Sequence, residues 1–103
     1  MFRKKADGVV EAAHFDEEGR LMWVRAYERR GPTWSDVVLL DRAALVERLK
    51  AGKRFFAGKR KEFNASDFDL GERLWLNELR RGVALSVGKR HVRTDQLEAL
   101  PIV

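Results

Sequence analysis

Three groups of side chains in this sequence have the types and spacing for chemistry: a run of cations, a pair of carboxylates and two histidines. The cations form the largest group. Arg48, Lys50, Lys53, Arg54, Lys59, Arg60 and Lys61 lie in a segment, residues 48–61, that contains no acid. Residues 1–47 and 62–103 each carry −1, so the +7 of this segment accounts for the whole net charge of +5. Gly52-Lys53-Arg54 and Gly58-Lys59-Arg60 share a spelling that returns at Gly88-Lys89-Arg90. Glycine lets a backbone N–H approach a phosphate closely, and the Lys and Arg that follow add charge and a bidentate fork.

Phe55 and Phe56 interrupt the cations, and alternation along a strand would turn one of them outward as a stacking surface. Basic residues interleaved with aromatics are the material of single-stranded nucleic-acid grooves. Trp34, close behind Arg29-Arg30, is a second candidate for stacking. The expected nucleic-acid contacts are therefore Lys53, Arg54, Lys59, Arg60 and Lys61, with Phe55 and Trp34 as stacking surfaces. The plainer alternative is that Gly-Lys-Arg is a surface turn, that the phenylalanines are core, and that charge protects a sheet edge. A P-loop is excluded, because five residues separate Gly52 from Gly58 and Arg60 stands where the magnesium-binding hydroxyl belongs.

The other two groups carry less. Asp67 and Asp69 would share one face of a strand, with Glu72 nearby, a pairing able to hold a cation or move a proton. Alternating acid and Phe in a half-buried strand has the same spelling, and no third partner is identifiable. Asp16-Glu17-Glu18 reads as turn chemistry. His14 and His91 are far apart and belong to no metal-ligand spacing, so neither metal nor cofactor is expected. Ser35, Ser66 and Ser86 have no activating base nearby in sequence, and nothing in the spacing assembles a catalytic set.

Those residues must be positioned by strands and one helix. Val9 to Phe15 and Arg20 to Tyr27 read as a hairpin closed through Gly19. Gly31-Pro32 turns the chain into a third β-rich run at Trp34 to Leu40, which would complete a meander. Asp41 caps a helix over 42–51, with Leu45, Val46 and Leu49 on one stripe and Gly52 as its stop. Lys53 to Ala57 reads as a short strand, and Phe63 to Leu70 as a loop leading into another. Glu72 to Leu79 fits a strand better than a helix, turning at Arg81-Gly82 into Val83 to Val87. Gly88-Lys89 would turn that strand into Arg90 to Arg93, and Thr94 would cap a short helical turn before Pro101. The expected fold is thus α+β: an antiparallel, β-dominated sheet, curled or closed into a small barrel, with one well-defined helix.

Length and composition agree with that reading. The chain has 103 residues, 45% hydrophobic and 36% charged, with three Trp and six Phe. That is core material for one domain over 1–103, and unlike the aromatic-poor composition of a disordered chain. With no cysteine, disulfide and thiolate chemistry are excluded. No run reaches the roughly 18 apolar residues of a membrane span, and a cytoplasmic location without membrane contact is expected. The sequence has neither the aromatic consensus of an RNA-recognition sheet nor the clamp loop of a KH domain. Two functions are expected from these features. The first is non-catalytic binding of DNA or RNA through 48–61. The alternative is a protein-interaction or homo-oligomeric domain.

Overall fold

A computed structural model describes residues 6–61 and 68–103. Among these residues seven strands and one helix follow in the order β1 (Gly8–Phe15), β2 (Leu21–Arg30), β3 (Thr33–Trp34), β4 (Val38–Asp41), α1 (Arg42–Lys50), β5 (Phe55–Arg60), β6 (Phe68–Leu79) and β7 (Gly82–Val87). The strands form one sheet in the order β3-β2-β1-β5-β6-β7, with β4 also pairing with β2. The sheet curls strongly into a half-barrel.

The expected hairpin is present. Asp16 accepts from the backbone N–H groups of Glu18 (2.9 Å) and Arg20 (2.8 Å), and Gly19 takes φ +81°. The expectation of a purely antiparallel sheet is corrected, because β1 and β5 pair in parallel over Gly8–Val10. A parallel neighbour requires a crossover. Here the chain leaves β1 through β2 and β4, passes along α1 and returns beside β1 in the same direction.

The helix ends one residue before the expected 51. Asp41 Oδ1 accepts the Ala44 N–H at 2.7 Å, Ala51 is the C-cap and Gly52 turns at φ +86°. The expected third run is split into β3 and β4. Between them Ser35 bonds Glu28 twice, its N–H donating to the Glu28 carbonyl and its hydroxyl accepting the Glu28 N–H. The next strand starts later than Lys53, because Asp7 accepts the Arg54 N–H and the ladder begins at Phe55. The strand reading of 72–79 agrees with β6, which begins at Phe68; residues 63–67 of the expected loop lie outside the described residues.

No strand forms at 90–93 and Thr94 caps no helix, although a single hydrogen-bonded turn, Leu100 N–H to the Leu97 carbonyl at 3.0 Å, stands before Pro101. Asp95 spends its carboxylate on the Leu85 N–H (2.9 Å) and on Arg42, and Gln96 bridges to Ser86. The chain end then lies along β1, with Ala13 donating to the Pro101 carbonyl and accepting from Val103.

Val10, Val24, Leu45, Phe55, Leu74 and Leu85, all at most 1% exposed, form the centre of one core between the concave sheet and the helix. Truncating a buried Leu of this kind to Ala costs about 2–5 kcal/mol. This core fixes the end of α1 against the middle of β6. No helix among the described residues is long and apolar enough to cross a membrane.

Candidate nucleic-acid interface

Where α1 ends, the chain must turn sharply, and that turn places two lysines on a rim. Lys50 closes the last helical turn, Gly52 supplies the positive φ, and the Lys53 N–H returns to the Arg48 carbonyl at 3.1 Å. Opposite them runs the second half of β6. Together they border a groove of about 680 Å³ lined by Leu49, Lys50, Lys53 and residues 73–76 and 78.

Alternation along β6 puts Leu74 and Leu76 toward the core and Arg73, Trp75 and Asn77 on the other face. Trp75 is partly exposed. The Arg73 guanidinium lies 4.4 Å from its centroid and the Lys89 ammonium 5.6 Å. Such contacts follow from the negative face of the indole π-system. Lys89 is aimed there by the turn at Gly88, whose φ of +84° strains any other residue and whose missing Cβ leaves room for the Glu72 carboxylate. Arg90 and His91 continue the surface past Trp75. On the other side Lys53 also borders a small pocket with Arg29 and Arg30.

Among the described residues, Lys50, Lys53, Arg73 and Lys89 have no carboxylate partner, and the Arg73 Nε has no hydrogen-bond acceptor. Glu78 is the one acid on the groove wall among them. The result is a cationic band, with Arg73 and Lys89 at the Trp75 ring and Lys50 and Lys53 along the groove that Trp75 also lines.

Of the residues picked from sequence, only Lys53 stands in this band. Arg54 lies 3.8 Å from the Asp7 carboxylate and Lys61 lies 3.9 Å from Asp69. Arg60 lies over the Tyr27 ring at 4.3 Å and near Phe68 at 5.6 Å, with its Nε buried. Lys59 borders a different, apolar depression beside Leu70 and Leu100. Phe55 is 1% exposed and packs against Gly8, so it offers no face to a base. Trp34 pairs across from Arg29 and packs on Phe68, ring centres 4.7 Å apart.

The Gly-Lys-Arg echo has a backbone explanation at each copy. Gly52 and Gly88 need positive φ, and a Cβ at Gly58 would meet the Asp69 carbonyl at 2.4 Å. Sequence reasoning passed over Trp75, Arg73 and Lys89 as a site. Their signal was a Trp at i+2 from an Arg in a strand, with the third Gly-Lys-Arg directly after the partner strand.

The remaining candidates are scattered. His14 stacks on Trp23 at 4.8 Å and its Nδ1 lies 2.7 Å from the Val103 carbonyl, whereas His91 sits on the exposed surface near Trp75. Asp67 lies outside the described residues, and Asp69 faces Lys61. Among the described residues no three His, Asp or Glu side chains converge as metal ligands. The chain matches no protein-family description, no curated protein and no solved structure.

Proposed function

We propose that the protein binds nucleic acid non-catalytically, along the groove between the end of α1 and β6. One observation carries this reading: the partly exposed Trp75 has Arg73 and Lys89 against its ring and lines the same groove as Lys50 and Lys53, and none of these four cations meets a carboxylate among the described residues. Unpaired cations attract a polyanion by releasing its counterions, and an aromatic among them stacks a base of any identity. In this reading Lys50, Lys53 and Lys89 take phosphates, Arg73 supports the indole, and Trp75 stacks. Arg29 and Arg30 extend the path at the far side of Lys53.

The test is a titration of labelled oligonucleotides at two salt concentrations. Binding is expected to weaken steeply with salt, and reversing Lys53 and Lys89 to Glu is expected to abolish it at the higher salt. Affinity that is undetectable at low salt, or indifferent to those two reversals, refutes the reading.

A second reading, self-association, is favoured by a different surface. Leu39 on the edge strand β4 is 61% exposed, with Val37 and Met22 also exposed. A strictly monomeric sedimentation profile at high concentration removes it.

A further inference from the structure

We infer that the groove selects single-stranded nucleic acid over duplex, because the main chain of β6 faces the bases with unused hydrogen-bonding groups. This rests on the function proposed above and adds the substrate class. The Gly88 N–H donates to the Arg73 carbonyl at 2.8 Å, and the β6–β7 register then runs unbroken from Leu74↔Val87 to Leu79↔Gly82. In an antiparallel ladder, pairs that exchange hydrogen bonds alternate with pairs that do not. The bonded positions on β6 are therefore Arg73, Trp75, Asn77 and Leu79. Leu76 and Glu78 must turn both their N–H and their C=O away from β7.

On that side β5 accompanies β6 only as far as Phe56↔Arg73, and the Arg54 N–H is already taken by Asp7. No strand among the described residues covers Leu76 and Glu78, and both border the groove. Each presents a donor beside an acceptor. The Watson–Crick edge of a base offers the same pair in complementary order, and it is free only in a single strand. A duplex keeps those edges occupied, leaving phosphate contacts alone.

Spacing points the same way. Positions i and i+2 along a strand are about 6.8 Å apart, roughly twice the 3.4 Å per nucleotide of a stacked strand. Bases reach Leu76 and Glu78 only if splayed apart, and Trp75 then replaces the lost stacking neighbour. Lys50 and Lys53 on the opposite wall stand where the phosphates of such a strand would pass. An extended acidic peptide could also use a free strand edge, but it would leave the aromatic without a role.

The decisive experiment uses the unaltered protein. Affinities are measured by fluorescence anisotropy for a labelled oligothymidine, the same oligomer built from N3-methylthymidine, and the oligothymidine annealed to its complement. The methyl group blocks the base edge while leaving phosphates and ring faces intact. Expected is a loss of about tenfold on methylation or annealing, the scale of one or two unmade hydrogen bonds. Equal affinity for all three ligands overturns the single-strand inference and leaves polyanion binding standing. No binding to any of them, or binding of polyglutamate instead, overturns both. On the protein side, Glu78→Pro removes one groove-facing N–H and no ladder bond, with Glu78→Gln as its charge-matched control. The Pro variant, checked as folded by its melting curve, should bind oligothymidine about fivefold more weakly than the Gln variant while duplex binding stays equal. Indistinguishable affinities for the single strand overturn the inference.

Discussion

The two ends of the curled sheet use the same residue types to opposite purpose. Around β1, β2 and α1, four arginines are matched to acids, Arg25 to Glu11 (2.9 Å), Arg48 to Glu28 (2.6 Å), Arg54 to Asp7 and Arg42 to Asp95, while Arg29, Arg30 and Lys50 at the rim are not, among the described residues. Around β6 and β7, Arg73 and Lys89 meet an indole, and Arg80 and Arg81 at the hairpin tip have no acid partner among the described residues. The first arrangement ties distant segments together through ion pairs, although the buried Arg25 Nε makes no hydrogen bond among the described residues. The second leaves charge available to something outside the chain. A count of charge along the sequence does not show this division, because the surplus segment 48–61 supplies Arg48 and Arg54 to the matched set but Lys50 and Lys53 to the free one, and the balanced segment 62–103 supplies Arg73, Arg80, Arg81 and Lys89 to the free one.

On that contrast, breaking a matched cluster costs folding and breaking the free one costs binding. The largest effect is expected at Asp95. Its carboxylate accepts from Arg42 Nε (2.9 Å), Arg42 Nη2 (3.0 Å) and the Leu85 N–H, and it holds the Arg42 guanidinium above its ordinary range through that hydrogen bond. Asp95→Ala leaves an N–H of a fully buried residue without a partner and should cost about 2–4 kcal/mol in urea unfolding. Lys89→Ala, by contrast, should stay within about 0.5 kcal/mol. Comparable losses from both variants would dissolve the distinction.

The next comparison sets one tryptophan against another. Trp75→Ala should weaken single-strand binding by about 1–3 kcal/mol, the worth of one stacked base. Trp34→Ala should leave binding unchanged, because Trp34 is committed to Phe68. A smaller effect separates the lysines from the arginines. Changing Lys50, Lys53 and Lys89 together to Gln should lower the slope of log affinity against log salt by about 2, at roughly 0.7 per phosphate contact. The same change at Arg48 and Arg54 should leave that slope intact, since their charge is already met by Glu28 and Asp7.

The parts of the fold legible in sequence are those fixed by neighbours along the chain. Asp41, the Leu45–Val46 stripe and Gly52 define a helix within one residue of its observed end, and Asp16 with Gly19 closes the first hairpin. What was not legible depends on distant partners. Nothing local in Gly8–Val10 or Phe55–Ala57 says that they run parallel. Thr94 and Asp95 spell a helix start, yet Arg42 and the Leu85 N–H claim the carboxylate from across the fold. Arg48 and Arg54 look free because their acids lie 20 and 47 residues away. Trp75 sits in a stretch whose apolar spacing suits a helix or a strand, and its exposed face is defined only once Leu74 is set opposite Val87.

The smallest expected effect lies at the tip of the first hairpin. Asp16 is held below its ordinary pKa of 3.8, first by the backbone hydrogen bond from Arg20, against the opposing effect of burial, which comes second, and then by the backbone hydrogen bond from Glu18 and by the Arg20 charge. A carboxyl with a depressed pKa in the folded state binds its proton less readily there than in the unfolded chain. Its contribution to stability is therefore complete above about pH 4 and fades as pH falls through the folded value. Asp16→Asn should flatten the acid limb of the stability curve below pH 4 and leave the neutral plateau nearly unchanged, since Asn can accept one of the same backbone bonds. Oligonucleotide affinity near neutral pH should not move at all, because Asp16 lines a different depression from the Trp75 groove. A change in that affinity would mean that the matched and free charges act as one field, and the contrast between the two ends would fail at its weakest point.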